Sequence, residues 1–276
     1  MVKTRIEWLK ERFSHSALRE SWNTVSGNKR KFFLTTAFDV SFLVLLALLN
    51  IALNILFPNP QSMAYGATKN MMAILLVMLA YLCIALFFYT FFKHRILHKI
   101  MEMHEKKEAG HRGFNSFLLL NIFMMGTFLL AFLLLSLLFI TTVKIEALQL
   151  LRNVSFALFG IFAYFAANTA HSLFIQGKGI RESVSGTLDM IFGRPREYIG
   201  MICFTTVAFF ILAGAYYALD WAVLKVIGTA IQSAPVFFGY AIYNTIIVAA
   251  LALGLFAFNR VYFYTLISRQ SRQHKG

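Results

Sequence analysis

Apolar residues fall in six unbroken runs, near 32–57, 71–92, 114–140, 154–175, 198–219 and 236–258. Each holds about 20 residues or more, enough at ~1.5 Å per residue to cross roughly 30 Å of hydrocarbon. The runs are apolar on every face, without the alternation of a barrel strand, so they read as helices that satisfy their own backbone in lipid. Breakers separate them: Pro58, Asn59 and Pro60 after the first, Gly110 and Gly113 before the third, Gly193 and Pro195 before the fifth. The pattern predicts an all-α polytopic membrane protein with a bundle of six transmembrane helices. It divides into an amphipathic segment (1–31), a membrane domain (32–258) and a basic tail (259–276). Helix starts and ends recur about every 83 residues, a period that fits three successive hairpins.

Composition agrees. Hydrophobic residues are 59% of the 276 and charged ones 14%, a stock from which no water-facing surface of ordinary size can be built. The charge is sided: 22 Lys and Arg lie in 1–31, 93–113, 176–197 and 259–276, against Lys69, Lys144, Arg152 and Lys225 on the other side. The positive-inside rule then puts both termini in the cytoplasm of a cell-membrane protein. The net charge of +14 reads as attraction to anionic lipid headgroups. No stretch is long enough to fold a basic nucleic-acid-binding face. The first run is too long for a cleavable signal core. Cys83 and Cys203 fall mid-membrane in separate runs, where thiols are expected to be inert packing residues. Asn153-Val154-Ser155 fits the glycosylation pattern but abuts the membrane.

The connectors are amphipathic. Val2, Ile6, Leu9, Phe13 and Ala17 recur at helical spacing before the first run, and Ile180, Val184, Leu188, Ile191 and Phe192 before the fifth. Such helices lie in the headgroup plane with the apolar face down. Leu18-Arg19-Glu20-Ser21 and Ile180-Arg181-Glu182-Ser183 echo one another, each followed by a Gly and basic residues before the next run. The stretch Gly177 to Ser183, a short amphipathic helix and then Gly193-Arg194-Pro195-Arg196 resembles six-helix prokaryotic membrane families. These are grouped with the membrane domain of some glycerophosphodiester phosphodiesterases. The resemblance implies the six-span architecture; the phosphodiesterase chemistry belongs to a soluble domain that these residues do not contain.

Candidate chemistry is sparse. His94, His98 and Glu102 share one helix face at i, i+4 and i+8, a weak metal-site pattern. In His104-Glu105-Lys106-Lys107-Glu108 the second histidine of a zincin motif is replaced by Glu108, and a solvated loop that also holds His111 accounts for the same residues. Asp39 lies about 12 Å into the first run, and Leu43, Leu46, Asn50 and Asn54 fall within roughly 60° of it on a helical wheel. This polar stripe is expected to face other helices or a wet cavity. Gly160, Ala163, Ala167 and His171 form a small-residue face on the fourth run, with Asn168 one turn from the imidazole. Asp39 and His171 sit at similar depth, which leaves two readings open: the two side chains meet as a relay, or Asp39 hydrogen-bonds the amphipathic helix or a loop and His171 is a satisfied packing residue. Tyr240, Tyr243 and Asn244 of the sixth run lie in the same outer half as Asn50 and Asn54, a weaker candidate contact because tyrosine is common near interfaces anyway.

No nucleotide-binding loop, nucleophile elbow or paired-aspartate cluster occurs, so neither a catalytic set nor a cofactor is expected. The leading reading is a non-enzymatic integral membrane protein serving membrane organisation or an assembly. A small-solute, ion or lipid transporter using the first-helix stripe is the alternative, and a lipid-modifying enzyme the third. Orientation is testable directly: cysteines introduced near 65 and 150 should react with an impermeant thiol reagent in intact cells, and those near 105 and 185 only after lysis. Labelling at 105 in intact cells reverses the orientation.

Overall fold

The computed structural model describes residues 16–56, 69–104, 113–142, 147–193, 195–228, 231 and 233–273. Among them are eight helices: α1 (Ala17–Gly27), α2 (Lys29–Leu56), α3 (Lys69–Met103), α4 (Phe114–Thr142), α5 (Ala147–Ile175), α6 (Ile180–Gly193), α7 (Pro195–Ile227) and α8 (Ala234–Gln273). Six are long and apolar enough to span a membrane, over Lys29–Ile55, Leu75–Met103, Phe114–Phe139, Gln149–Ile175, Tyr198–Ile227 and Ala234–Arg269. Their outward leucines and phenylalanines are exposed, Phe210 at 68% and Leu134 at 60%. Only lipid solvates so much apolar side chain without a large penalty. The protein is an integral, multi-pass membrane protein.

The chain forms two compact units, one within Met1–Phe32 and Asp189–Gly276, the other Phe33–Leu188. In the first, α8 packs against α1 and α7. Burial concentrates near the C-terminal end of α8, where Val261, Phe263, Tyr264 and Ile267 are enclosed. The helix continues past residue 258 to Gln273, and most of 259–268, which reads as part of a basic tail, is buried. The small face of α1, Ala17 and Ser21, is buried, while Trp22 stands exposed against the Phe258 ring at 6.1 Å. Ser16 caps α1 by accepting from the Arg19 N–H, and the Arg269 guanidinium Nε donates to Glu20 at 2.6 Å.

In the second unit α3, α4 and α5 pack on one another, and α2 meets α3 through Phe38, Phe42, Tyr89 and Phe92. The core again lies at one end, around Ile96, Leu97, Ile100, Phe117, Leu120, Leu173 and Phe174. Helix α5 stops at a corner whose residues each have a mechanical task. Gly177 takes φ 94°, the Gly177 N–H donates to the Phe174 carbonyl and the Lys178 N–H to the Leu173 carbonyl, the Schellman pattern that favours glycine there. Glu182 then reaches back to accept from the Gly179 N–H, closing a capping interaction on α6. The Gly177–Ser183 stretch is thus a helix stop joined to a helix start.

On α6 the small residues Ser183 and Thr187 are buried and Gly186 sits against Leu173, whereas Leu188 and Phe192 are exposed. The large apolar side chains point outward, as an interfacial helix requires. Residues 1–15 of the N-terminal segment, the Pro58–Pro60 breaker and Glu105, Glu108 and His111 lie outside the described residues. Cys83 and Cys203 are free thiols exposed on their helices, not enclosed packing residues, because the faces that carry them look away from neighbouring helices. Since α1 docks through a small-residue face, Ser21→Leu should destabilise the detergent-solubilised protein by about 1–3 kcal/mol through overpacking. Arg269→Ala, which removes a partly exposed ion pair, should cost only about 0.2–1 kcal/mol. Thermal unfolding separates the two, and equal losses overturn this account of the interface.

Candidate functional site

Asparagine in hydrocarbon must place both halves of its amide. Asn121 of α4 donates Nδ2–H to the Phe117 carbonyl one turn back at 2.9 Å, which turns Oδ1 outward to accept from His171 Nε2 of α5 at 2.9 Å. Asn168 of α5 does the same: its Nδ2–H serves the Tyr164 carbonyl at 2.8 Å and its Oδ1 accepts from Lys93 Nζ of α3 at 2.9 Å. Two anchored asparagines thus carry the polar contacts among α3, α4 and α5. All four side chains are buried, Lys93 at 8% and His171 at 1% exposure. The imidazole is packed by the rings of Phe117, 5.0 Å away, and Tyr89 at 6.4 Å.

The anchoring fixes the histidine's protons. A peptide carbonyl only accepts, so the asparagine NH₂ faces Phe117 and its oxygen faces the ring; Nε2 therefore carries the hydrogen. In the neutral imidazole Nδ1 is then a bare acceptor, and it has no hydrogen-bond partner among the described residues.

His171 and Asn121 form the polar end of a cleft of about 610 Å³ among α2, α3, α4 and α5. Its walls are Phe42, Leu46, Leu82, Met124, Phe128 and Phe159. The volume falls in the range of small-molecule sites, ~300–1,000 Å³. Along α4 it runs from Asn121 to Phe132, about 16 Å at the helical rise. Tyr81, also on the wall, donates its O–H to Asn50 Oδ1 at 2.8 Å.

The polar residues singled out from sequence disperse in part. His171 and Asn168 enter the cluster, and Asn50 bonds Tyr81. Asp39 is half-buried on α2 and is not the partner of His171, whose Nε2 is taken by Asn121. Asn54 is exposed. Asn244 has a buried Oδ1 without a partner among the described residues. Tyr240 donates to Asp220 at 2.7 Å, and Tyr243 lies beside its ring. Of the small-residue face, Ala167 lines the cleft while Gly160 has open space around it.

Sequence reading missed three groups. Lys93, counted with a loop, belongs to α3, which runs on to Met103; the continuing spacing of Ile96, Leu97 and Ile100 was the available signal. Asp220 is a second acidic residue inside a span, because α7 extends to Ile227. Asn121 is a single amide in a Phe- and Leu-rich run and gave no pattern. His94 and His98 do meet, edge to face with ring centroids 4.5 Å apart, but the Glu102 carboxylate pairs with Lys99 at 2.7 Å, and no group of three metal-ligating side chains occurs among the described residues.

The chain matches no family model, no curated protein and no solved structure.

Because Asn121 and His171 share a hydrogen bond, Asn121→Leu should cost about 1–3 kcal/mol by stranding Nε2–H. The double variant with His171→Phe should cost less than the sum. Asp39→Asn should instead add to His171→Phe within about 0.5 kcal/mol. Thermal unfolding of the three single and two double variants in detergent checks this, and coupling to Asp39 in place of Asn121 overturns the assigned partner.

Proposed function

We propose that the protein is a non-enzymatic lipid-handling component of the cell membrane, which takes an amphiphile from the bilayer into the α2–α5 cleft. The observation that carries this is the cleft's division into long apolar walls and a polar end formed by Asn121 and His171. A water-soluble solute gains nothing from phenylalanine and leucine walls, whereas a chain with a polar head matches both parts. This favours the lipid form of the transporter reading, and moves its site from the first-helix stripe to α3, α4 and α5. One imidazole whose Nε2 is held by an amide supports binding over acid–base chemistry, since no carboxylate stands among the lining residues.

The charge imbalance supports cytoplasmic termini, which would set the polar end of the cleft nearer the cytoplasmic leaflet. The Gly177–Ser183 corner supports the hairpin architecture of the six-helix families that the sequence resembles.

The test is photolabelling of the whole protein in phosphatidylcholine nanodiscs with a diazirine-bearing long-chain alcohol. Adducts are expected on the segments holding Phe42, Leu46, Met124 and Phe128. Ala167→Trp, which fills the cleft beside His171, should cut that labelling about tenfold if it removes ~1.4 kcal/mol of binding. Labelling confined to outward-facing leucines, unchanged by Ala167→Trp, refutes an amphiphile site in the cleft.

A further inference from the structure

A second opening lies in the other compact unit, between α7 and α8. It encloses about 320 Å³ between apolar side chains of the two helices and Tyr216, and Phe209, Tyr217 and Phe256 on its rim are exposed. Along α7 it runs from Phe209 to Tyr217, about 12 Å at the helical rise. Beyond Tyr217 the same seam reaches a carboxylate. On α7, Asp220 falls within about 40° of Phe209, Ala213 and Tyr216 around the helix, and roughly 6 Å past Tyr216 toward the α7–α8 connection. From α8, Tyr240 stands about 20° from Leu251 of the groove wall and donates its O–H to Asp220 Oδ1 at 2.7 Å. The Asp220–Tyr240 bond thus sits at the end of the groove, on the two helix faces that wall it.

Charge sets what this end accepts. Tyr240 neutralises none of the Asp220 charge, and the half-buried carboxylate forms no ion pair among the described residues. Lys225, the nearest cation along α7, lies about 140° around the helix from Asp220 and is held over the Trp221 ring at 4.6 Å. The other polar groups gathered here, Tyr216, Tyr217, Tyr243 and Asn244, are neutral and can both donate and accept, so they favour neither sign. A carboxylate inside a span without a counter-ion is costly, and a cation arriving through lipid relieves that cost. We infer that the α7–α8 groove binds a membrane-resident long-chain primary amine, with its hydrocarbon between Phe209 and Tyr217 and its ammonium on Asp220. Tyr240 fills one acceptor site of the carboxylate and leaves others for a charge-assisted N–H bond, which a quaternary ammonium cannot make. The site is separate from the α2–α5 cleft and does not depend on it.

Photolabelling of the whole protein in phosphatidylcholine nanodiscs with a diazirine-bearing hexadecylamine tests it. Adducts are expected on α7 from Phe209 to Tyr217 and on α8 from Val248 to Phe256, and Ala167→Trp in the other cleft should leave them unchanged. Hexadecylamine should displace the label at about tenfold lower mole fraction in the bilayer than hexadecanol, the ratio expected for a charged over a neutral hydrogen bond. Hexadecyltrimethylammonium should fall between them. In Asp220→Asn, whose amide oxygen still accepts from Tyr240, the amine-to-alcohol ratio should drop to about one. Ala252→Trp, which fills the groove with the carboxylate intact, should cut labelling about tenfold and carries the test if the Asp220 variant does not fold. Equal competition by amine and alcohol, or a ratio unchanged in Asp220→Asn, overturns the placing of an ammonium on Asp220. Best competition by the quaternary amine overturns the primary-amine head in favour of contact with tyrosine rings. Absence of adducts from both segments overturns the site, and a dimeric protein in that case assigns the groove to a second copy of the chain.

Discussion

A polar group carried into hydrocarbon brings its hydrogen-bond demand with it, and no solvent is there to meet it. Most of the arrangement follows from how this chain discharges that demand. Several serines and threonines do so within their own helix: Ser41, Thr127, Ser136 and Thr245 each donate to the carbonyl four residues back. Such residues add nothing to helix selection. Asparagine cannot be closed off in the same way, because a carbonyl takes one of its two N–H donors and leaves its oxygen over. Asn50, Asn121, Asn168 and Asn259 each turn that oxygen to another helix, toward Tyr81, His171, Lys93 and Thr205. Between helices packed in lipid, where apolar contact with a neighbour gains little over contact with acyl chains, these bonds specify partners.

The same demand explains why burial is concentrated at helix ends. In the Phe33–Leu188 unit the tight core, Ile96 to Met103 with Phe117 and Leu173, lies beside the polar cluster. Further along the same helices leucine faces outward and the walls of the cleft stand apart. Packing density follows the positions where polar side chains must be enclosed. The apolar lengths beyond them have lipid as an acceptable alternative, so an open cleft there is tolerated at small cost.

This also sets what could be read from the sequence. Six helices were legible because roughly twenty consecutive apolar residues leave no other option in lipid, and the sided Lys and Arg count set an expected orientation. The helix ends were not. Hydropathy falls at Lys93, at Asp220 and at Asn259, and an apolar-run reading stops there; the helices continue because Asn168, Tyr240 and Thr205 receive those side chains. His171 was legible as an ionisable group at depth, but its partner was not. Depth along two helices gives a level in the membrane and leaves the angle around each helix open, so the sequence left open whether Asp39 meets His171 and gave no sign of Asn121. A lone asparagine among phenylalanines has no periodicity to announce it.

Lys93 and His171 end two relays of the same construction and differ in what they leave over. An ammonium is all donor, so anchoring one of its hydrogens on Asn168 leaves more donors and a charge that must stay enclosed. An imidazole with Nε2–H anchored on Asn121 leaves a single acceptor and, when neutral, no charge. Only the second borders the cleft. A bundle that set the ammonium on that wall would attract water and anions into the hydrocarbon, whereas an imidazole there suits the amphiphile site that we propose. The placement of one asparagine on α4 and the other on α5 therefore decides the character of the site, through which of two cations or near-cations it holds to the cleft and which it holds behind it.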